Sequence, residues 1–456
     1  MNRAITRPCI VVAAVSILSG CAAPGAIGVM RSFSGEDQPS TVIDWKIKFD
    51  GSGSSPVIAD GVLYVGSADG AIYALDPGSG ETKWRFQTGE GLSREQGMRR
   101  RVDMTPAVEN GTVFVGSGDH SFYAIDAATG KMRWSYVAGP GMASMTNQSY
   151  TRPAAVLRNG TVYFVTGDGL HALDALTGKR KWLFETLREI PIEQMNMAAK
   201  RAPTGLAMGD SAVYVTAWPF IRRDTPRKSF LYAVDPESGK TKWVTSVDGL
   251  DTTAPVTAKG LAFFAISSPT RLYGIDAADG EVKWSSDGER KFGTPVLLVA
   301  EDAIYFCTDR KLLALELGTG RQLWSFSADE TRTILKADQH LYVITHAGTI
   351  ARPKDTIHAL ALTTGQEKWS RSLSESAGDV MIHDGVVYAG REHFYAIDAS
   401  TGRELWSFKG TGRESARLIS GGRIFLTSPT VSYTGLSRVD QGYLYAIDAR
   451  TGKRKP

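Results

Sequence analysis

A twelve-residue motif occurs nine times along this 456-residue chain and constrains the fold more than any other feature. Its clearest copy is YAIDAATGKMRW, from Tyr123 to Trp134. In this copy an apolar strand leads through Asp and a small-residue turn to Gly and Trp. The other copies begin at Tyr73, His171, Tyr232, Tyr273, Leu313, His358, Tyr395 and Tyr445. The tryptophans from Trp84 to Trp406 follow one another at 37 to 61 residues, a period typical of propellers and solenoids.

A second hairpin is predicted in front of the motif. The segments SPVIADGVLYVGS from Ser55 and DVMIHDGVVYAG from Asp379 place β-branched and aromatic residues on both sides of Asp-Gly. Asp-Gly and Asn-Gly favour the two-residue turns of β-hairpins. Each repeat therefore predicts four antiparallel strands, named A to D, and helical periodicity is nowhere sustained. The sequence predicts an all-β propeller.

The two ends of the repeat region are complementary. The last copy stops at Pro456, where a Trp is expected, and so lacks strand D. Residues 41–49, TVIDWKIKF, form a lone predicted strand that contains Trp45. We therefore expect this N-terminal strand to complete the last blade, which closes the ring and removes its free edge. Nine blades are predicted, with eight as the alternative.

The repeated tryptophans are predicted to be structural. We expect each ring to lie over the Gly of its own C–D turn and against the neighbouring blade, burying roughly 200 Å². Gly is required because a Cβ would push the ring away. The predicted structural set is Trp45, Trp84, Trp134, Trp182, Trp243, Trp284, Trp324, Trp369 and Trp406.

The first forty residues predict export and anchoring. A basic start and the apolar run from Cys9 to Leu18 are typical of a signal peptide, predicted over residues 1–20. The sequence Leu18-Ser19-Gly20-Cys21 resembles the lipobox of bacterial lipoproteins, although an ordinary signal peptide could also end near a Cys. The resemblance implies diacylation of the Cys21 sulfur and an acyl chain such as palmitate on its amine. Residues 21–40 are predicted to be a flexible tether and residues 41–456 the propeller.

The pattern A-x-D-x-x-T-G-x-x-x-W resembles the tryptophan-docking repeats of the pyrroloquinoline-quinone (PQQ) dehydrogenase superfamily across residues 41–456. In the quinoprotein dehydrogenases, the resemblance implies a Cys-Cys disulfide above the quinone, a Glu/Asn/Asp set on Ca²⁺ and a catalytic Asp. This chain has neither Cys-Cys nor the haem motif C-x-x-C-H, and its seven His are dispersed. We therefore predict no catalytic residue, no cofactor and no metal, and Cys307 is interpreted as a core residue.

The chain also resembles the BamB family in its lipobox, in its repeat type and in lacking the cofactor residues. Members of that family are non-enzymatic and serve as accessory scaffolds for a β-barrel insertase. Locally, residues 251–255 (DTTAP) are similar to a blade entry of that family, and residues 201–204 (RAPT) fall where it has a partner-contacting loop with an Arg. BamB has eight blades and different loops. The resemblance implies a monomeric protein-binding scaffold at the outer membrane, facing the periplasm. Its implied partners are envelope proteins, such as an Omp85-type barrel like BamA.

Loop lengths indicate which face of the propeller binds. The A–B and C–D turns are tight and share one face, here called the turn face. Long connections belong to the opposite face, here called the insert face; they cover residues 89–104, 139–151, 186–202, 218–228, 345–356 and 428–441. Binding residues collect on loops that a rigid scaffold holds. The insert face is therefore predicted to be functional.

The inserts carry 14 Lys and Arg against 8 Asp and Glu, in a chain whose net charge is only +4. This weak net charge gives no indication of nucleic acid. Arg mixed with Met and aromatic residues is typical of protein interfaces, and Trp218 is the expected anchor. The predicted contacts are Arg99, Arg100, Arg101, Arg201, Trp218, Phe220, Arg222, Arg223, Arg227 and Lys228. The alternatives are packing of these residues against the propeller, binding of anionic lipid or polysaccharide, and a divergent PQQ-dependent dehydrogenase or other periplasmic enzyme.

Overall fold

The fold consists of β-sheets throughout the part of the chain that can be described. The computed structural model describes residues 43–49, 53–89, 101–102, 104–138, 155–166, 169–186, 205–217, 228–288, 296–308, 310–328, 330–349, 352–391, 393–409, 415–434 and 437–451. Within these ranges, 37 strands form nine separate antiparallel sheets.

Each sheet is one blade of the propeller, and its strands follow the order A to D. In blades 1 to 3 the strands are β2 (Val57–Ala59), β3 (Val62–Gly66), β4 (Ala71–Leu75), β5 (Thr82–Gln87); β6 (Ala107–Glu109), β7 (Thr112–Gly116), β8 (Ser121–Asp126), β9 (Met132–Val137); β10 (Val156–Arg158), β11 (Thr161–Thr166), β12 (Gly169–Asp174), β13 (Arg180–Phe184). In blades 4 to 6 they are β14 (Gly205–Met208), β15 (Val213–Ala217), β16 (Lys228–Val234), β17 (Thr241–Asp248); β18 (Leu250–Thr252) with β19 (Val256–Ala258), β20 (Leu261–Ser268), β21 (Thr270–Asp276), β22 (Val282–Asp287); β23 (Leu297–Ala300), β24 (Ala303–Cys307), β25 (Lys311–Glu316), β26 (Gln322–Ser327). In blades 7 to 9 they are β27 (Thr331–Ala337), β28 (His340–Thr349), β29 (Arg352–Ala361), β30 (Glu367–Ser372); β31 (Met381–His383), β32 (Val386–Gly390), β33 (His393–Asp398), β34 (Glu404–Lys409); β35 (Ser415–Ser420), β36 (Arg423–Thr434), β37 (Ser437–Asp448), β1 (Ile43–Phe49).

The blades are arranged as a ring with strand A of each blade toward the centre, because the A strands of neighbouring blades approach one another. Apolar cores lie between blades. For example, Phe263 of blade 5 packs with Ile304 and Phe306 of blade 6 in one buried cluster. Cys307 is fully buried in the cluster between blades 6 and 7. The prediction of a nine-bladed, all-β propeller is confirmed.

The N-terminal strand closes the ring, as the sequence predicted. β1 pairs with β37 in antiparallel register, with Ile43 opposite Ile447 and Phe49 opposite Gly442. Phe49 is buried in a cluster that joins blade 9 to blade 1. Blade 9 is therefore built from the two ends of the propeller, and its outer strand is the first one in the sequence.

The tryptophans join adjacent blades, but they do so differently from the prediction. Trp134 of blade 2 lies over Gly178 in the C–D turn of blade 3, and its indole N–H donates to the Ala175 carbonyl at 3.1 Å. A Cβ on Gly178 would stand 2.5 Å from the Trp134 ring. The prediction that each ring covers its own turn is wrong. Side chains of a strand stand perpendicular to their sheet, so the ring meets the next blade, while its own turn lies in the plane of its own sheet.

The same docking recurs around the ring. Eight indole N–H groups donate to a backbone carbonyl of the next blade's turn at 2.8 to 3.2 Å: Trp45, Trp84, Trp134, Trp182, Trp243, Trp284, Trp324 and Trp369. The ninth, Trp406, packs against Tyr388, and its indole nitrogen has no hydrogen-bond partner within the described residues. Blades 8 and 9 therefore meet at the one described interface without this bond.

Candidate functional site

Backbone hydrogen bonds show which connections share a face. The Ala127 N–H in a C–D turn donates to the Gly111 carbonyl in the A–B turn of the same blade at 3.0 Å. Ala399 and Gly385 repeat this bond in blade 8 at 2.8 Å. The tight turns thus lie together on the turn face. Because antiparallel strands alternate in direction, the B–C and D–A connections lie on the insert face.

The first insert, residues 89–104, starts from a fixed point between blades 1 and 2. The Gly89 N–H donates to the Tyr123 hydroxyl oxygen at 3.2 Å, and that hydroxyl donates to the Asp119 carboxylate at 2.6 Å. Asp119 is buried, and it also accepts from the Ser121 N–H. The pKa of Tyr123 is raised to about 12, mainly because the hydroxyl is buried and in addition because it is hydrogen-bonded to Asp119.

The same insert also ends at a fixed point. The Val102 N–H donates to the Ser67 carbonyl at 3.0 Å, and the Gly118 N–H donates to the Arg101 carbonyl at 2.8 Å. Val102 is fully buried, whereas Arg101 is partly exposed. The backbone bonds at Arg101 and Val102 hold the end of the predicted basic triplet at the base of the insert face; Arg99 and Arg100 lie outside the described residues.

Blade 1 has a polar network at the corresponding B–C turn. Asp69 accepts hydrogen bonds from the Tyr73 hydroxyl at 2.7 Å and from Arg85 at 3.2 Å. The Gln87 amide donates to the Asp69 carbonyl. Burial opposes ionisation of Asp69, but the hydrogen bonds from Tyr73, the Ala71 N–H and Arg85 outweigh it and lower its pKa. Asp69 is thus held as a carboxylate that orders the turn.

The fourth insert, residues 218–228, leaves and re-enters the sheet of blade 4 between strands B and C. Its last residue, Lys228, is exposed and lies opposite Asp248 in the sheet register. The other predicted contacts of this insert, Trp218, Phe220, Arg222, Arg223 and Arg227, lie outside the described residues. Arg201 of the third insert and the predicted lipidation site Cys21 also lie outside them.

Two of the six inserts are extended hairpins rather than loops. In blade 9, β36 and β37 stay paired out to Thr434 and Ser437, whereas β35 and β1 leave them at Thr427 and Gly442. In blade 7, β28 and β29 stay paired out to Thr349 and Arg352. The expectation of loops at 345–356 and 428–441 is therefore wrong. Strand pairing continues past the edge of the blade because both arms can bond to each other without outer partners.

The hairpin of blade 7 rests on a buried pair that the sequence analysis missed. His346 and Asp355 lie opposite each other on the two arms, and His346 Nδ1 is 2.6 Å from Asp355 Oδ1. The D–A connection of the blade closes over them. There, the Ala377 N–H donates to the other Asp355 oxygen at 2.7 Å, and the Ser376 hydroxyl donates to it at 3.2 Å.

This pair is arranged to hold structure. A His–Asp contact orients the base in a catalytic triad, but a nucleophile must then face the other side of the ring. Here the nearby hydroxyl of Ser376 bonds Asp355 and not His346. Both side chains are nearly fully buried beneath the connection. We interpret the pair as the clamp that fixes the direction of the hairpin.

The blade entry at residues 251–255 also has a structural role. The Thr253 N–H donates to the Ala265 carbonyl at 2.9 Å, and its hydroxyl accepts from the Ala265 N–H at 3.0 Å. The Thr216 hydroxyl of blade 4 donates to the Thr253 carbonyl. This segment therefore joins blades 4 and 5, and these structural contacts explain the presence of Thr253.

The described residues contain no candidate metal site. No group of three or more His, Cys, Asp and Glu side chains in the described ranges could hold a metal ion. Cys307 is a buried thiol in a core between blades and forms no disulfide within the described residues. A cavity of about 280 Å³ between blades 3 and 4 is lined by residues that include Phe184, Glu185 and Lys240, without a cluster of carboxylates. Among the described residues there is no helix of the length and apolarity that crossing a membrane requires.

Comparisons with known proteins identify the repeat. The family model described as outer membrane protein assembly factor BamB matches residues 34–217, 192–338 and 334–455. No curated protein matches the chain. Together the three segments span nearly all of the predicted propeller.

Solved structures with a similar fold include proteins named for different functions. A quinohemoprotein alcohol dehydrogenase from Comamonas testosteroni has a TM-score of 0.55 at 16% identity, covering 93% of this chain and 79% of its own. A second quinohemoprotein alcohol dehydrogenase, from Pseudomonas putida HK5, has a TM-score of 0.54 at 16% identity, and the match covers 91% of this chain and 77% of that one. BamB from Moraxella catarrhalis has a TM-score of 0.49 at 13% identity, and the match covers 75% of this chain and 96% of that one. At these identities the likeness concerns the fold alone.

Proposed function

The chain belongs to the family of the outer membrane protein assembly factor BamB, and on that premise we propose that it is a non-enzymatic, protein-binding scaffold of the bacterial envelope. In this proposal Cys21 is lipidated and anchors the propeller to the outer membrane, facing the periplasm. The partner is an envelope protein engaged in barrel assembly, of the Omp85 type to which BamA belongs.

One observation carries the proposal: the long inserts belong to one face of a rigid ring, and the described ends of the first insert are fixed. Hydrogen bonds from Gly89 and Val102 hold the two ends of the first insert on blades 1 and 2. The His346–Asp355 pair holds the hairpin of blade 7. A preorganised surface loses less conformational freedom on binding, so more of the contact energy appears as affinity.

The residues of the inserts suit a protein partner. Arg99, Arg100 and Arg101 supply positive charge that draws an acidic surface toward the face and sets its orientation. Trp218 supplies a large apolar ring that can be desolvated at the centre of a contact. A scaffold of this kind accelerates no reaction. It raises the local concentration of its partner near the membrane.

Capture of partners from the solubilised envelope tests the proposal. The lipidated chain is purified in mild detergent, and co-purifying proteins are identified by mass spectrometry. We expect an Omp85-type barrel with the wild-type chain. Substituting Arg99, Arg100 and Arg101 each by Glu should reduce its recovery at least about tenfold, because three attractive charges become repulsive.

The matched control reverses three charges on the other face. Lys131, Lys240 and Arg403, each in a C–D turn on the turn face, are exposed, and Glu at these positions gives the same change in net charge. This control should retain the partner. Equal loss in both variants would assign the effect to net charge, and recovery of the chain without any envelope protein would contradict the scaffold function.

A further inference from the structure

The direction of β1 determines where the chain enters the propeller. β37 ends at Asp448, and the next N–H, of Ala449, donates to the Gly422 carbonyl in the A–B turn of blade 9. This end of β37 therefore lies on the turn face. Ile43, the first residue of β1, is opposite Ile447 at the same end. Residues 21–42, which link Cys21 to β1, thus join the propeller at its turn face.

One C–D turn on the turn face, that of blade 3, differs from the others because it exposes a large apolar side chain. Leu176, in the C–D turn of blade 3, is 77% exposed, the highest value among the large apolar side chains that the structure describes. Met132 on the outer strand of blade 2 is 52% exposed, and Trp134 of that strand docks on the same turn. The equivalents of Leu176 in the other blades are small or polar: Gly78, Ala128, Glu237, Ala278, Gly318, Thr363, Ser400 and Arg450.

Three consecutive basic residues begin three positions after Leu176. Lys179, Arg180 and Lys181 are all exposed. Lys181 donates to the Thr161 hydroxyl, whereas within the described ranges no hydrogen bond or ion pair engages the side-chain nitrogens of Lys179 and Arg180. An exposed apolar side chain beside unpaired cations is the combination that binds to an anionic lipid surface, where the headgroup region accepts both.

We propose that the C–D turn of blade 3, residues 174–182, docks on the anionic lipid surface to which the chain is anchored. Leu176 enters the headgroup region, and Lys179 and Arg180 contact lipid phosphates. This inference rests on the lipid anchor of the proposed function. The covalent link from Cys21 to Ile43 can reach at most about 75 Å, so the anchor keeps the turn face within range of the bilayer.

The turns of the ring differ in charge. The equivalent turn of blade 5 contains Ala278 followed by Asp279 and Glu281, and these charges disfavour an anionic surface. A ring docked through residues 174–182 therefore keeps blade 3 closer to the bilayer than blade 5. In this orientation the insert face points away from the bilayer, where it is open to a partner.

Fluorescence quenching on vesicles tests the docking. The full lipidated chain with Leu176→Cys is labelled with an environment-sensitive dye and reconstituted into phosphatidylcholine vesicles, with or without phosphatidylglycerol, that contain a headgroup-attached quencher. Ala278→Cys is the matched control, in the same turn of an acidic blade. We expect strong quenching at position 176 with the anionic lipid and little at 278. Adding Lys179→Glu and Arg180→Glu should lower the ratio of docked to undocked molecules at least about tenfold.

The outcomes separate the two proposals. If the chain floats with the vesicles and positions 176 and 278 are quenched equally, the docking is overturned while the anchor stands. If the chain does not float, the anchor is overturned and the docking with it. Quenching at 176 that does not depend on phosphatidylglycerol or on Lys179 and Arg180 also overturns the assignment to anionic lipid.

Discussion

Substituting Gly178 by Ala measures how strongly tryptophan docking holds the blades together. Gly178 has a φ of +71°, and a Cβ there would stand 2.5 Å from the ring of Trp134. The left-handed conformation costs about 1–2 kcal/mol for Ala. The forced contact adds about 1–3 kcal/mol, because the packed ring must move. We therefore expect Gly178→Ala to lower the free energy of unfolding by about 2–5 kcal/mol.

Gly160 in the same blade gives the matched control. Its φ is +68°, but nothing lies within 4 Å of its Cβ position, so Gly160→Ala should cost only the conformational part. The two variants are compared by urea unfolding, followed by circular dichroism. The difference between them, about 1–3 kcal/mol, is the contribution of the steric contact. It should vanish when Trp134→Ala is added to both.

Two results would refute this reasoning. The first is an equal loss of stability at positions 160 and 178, which would mean that the backbone conformation alone explains the glycine. The second is an unchanged difference in the Trp134→Ala background, because the clash cannot persist once the ring is gone. Either result would leave the repeated Gly and Trp without the physical link described above.

Three further predictions concern the insert face and its chemistry. The pKa of Tyr123 is raised from 10.0 to about 12, so the stabilisation that its protonated hydroxyl provides is complete below pH 10 and is lost as pH rises toward 12. The Tyr123→Phe variant should therefore lose less stability than the wild type between pH 10 and 12. The same dependence of stability on pH in both proteins would contradict this prediction. Asp355→Ala leaves buried donors of His346 and Ala377 without an acceptor, and we expect a loss of about 2–5 kcal/mol, with faster amide exchange confined mainly to blade 7; uniform exchange across all blades would argue against a local clamp. Equilibrium dialysis with PQQ and Ca²⁺ should detect no stoichiometric binding, and binding with dye reduction would replace the scaffold by an enzyme.

The architecture could be predicted because its signals are local and repeated. Each copy of the motif contains a complete turn and the beginning of the next strand, so nine copies predict nine blades. The closure of the ring followed from a missing Trp near Pro456 and an unaccompanied strand around Trp45. These are features of single segments, and no knowledge of distant contacts was needed to interpret them.

Contacts between blades were harder to predict. The sequence places Trp134 four residues after Gly130, and this proximity suggested that the ring covers its own turn. The structure brings Trp134 to Gly178 instead. The choice depends on the side of the sheet from which the ring projects, and the repeat pattern alone contains no information about that side.

The hairpins of blades 7 and 9 and the His346–Asp355 pair were missed for a related reason. Length alone made residues 345–356 appear to be a loop, because Gly, Pro and charged residues are common both in loops and in solvent-exposed strands. A cross-strand reading of the segment would have placed His346 opposite Asp355, which the register confirms. Their burial comes from residues 373–377, and a connection that folds back over a hairpin leaves no local sign in the sequence.

The closure by β1 also orders the events of folding. Ile43 and Ile447 are 404 positions apart in the sequence, and joining ends so distant costs about 5 kcal/mol in the logarithmic length term alone. The strand that is synthesised first is therefore the last to find its place, and β37 keeps a free edge until then. A chain that stops before β37 offers β1 no partner at all. Ring closure thus makes the native state depend on complete synthesis, so that truncated chains remain open and accessible to proteolysis.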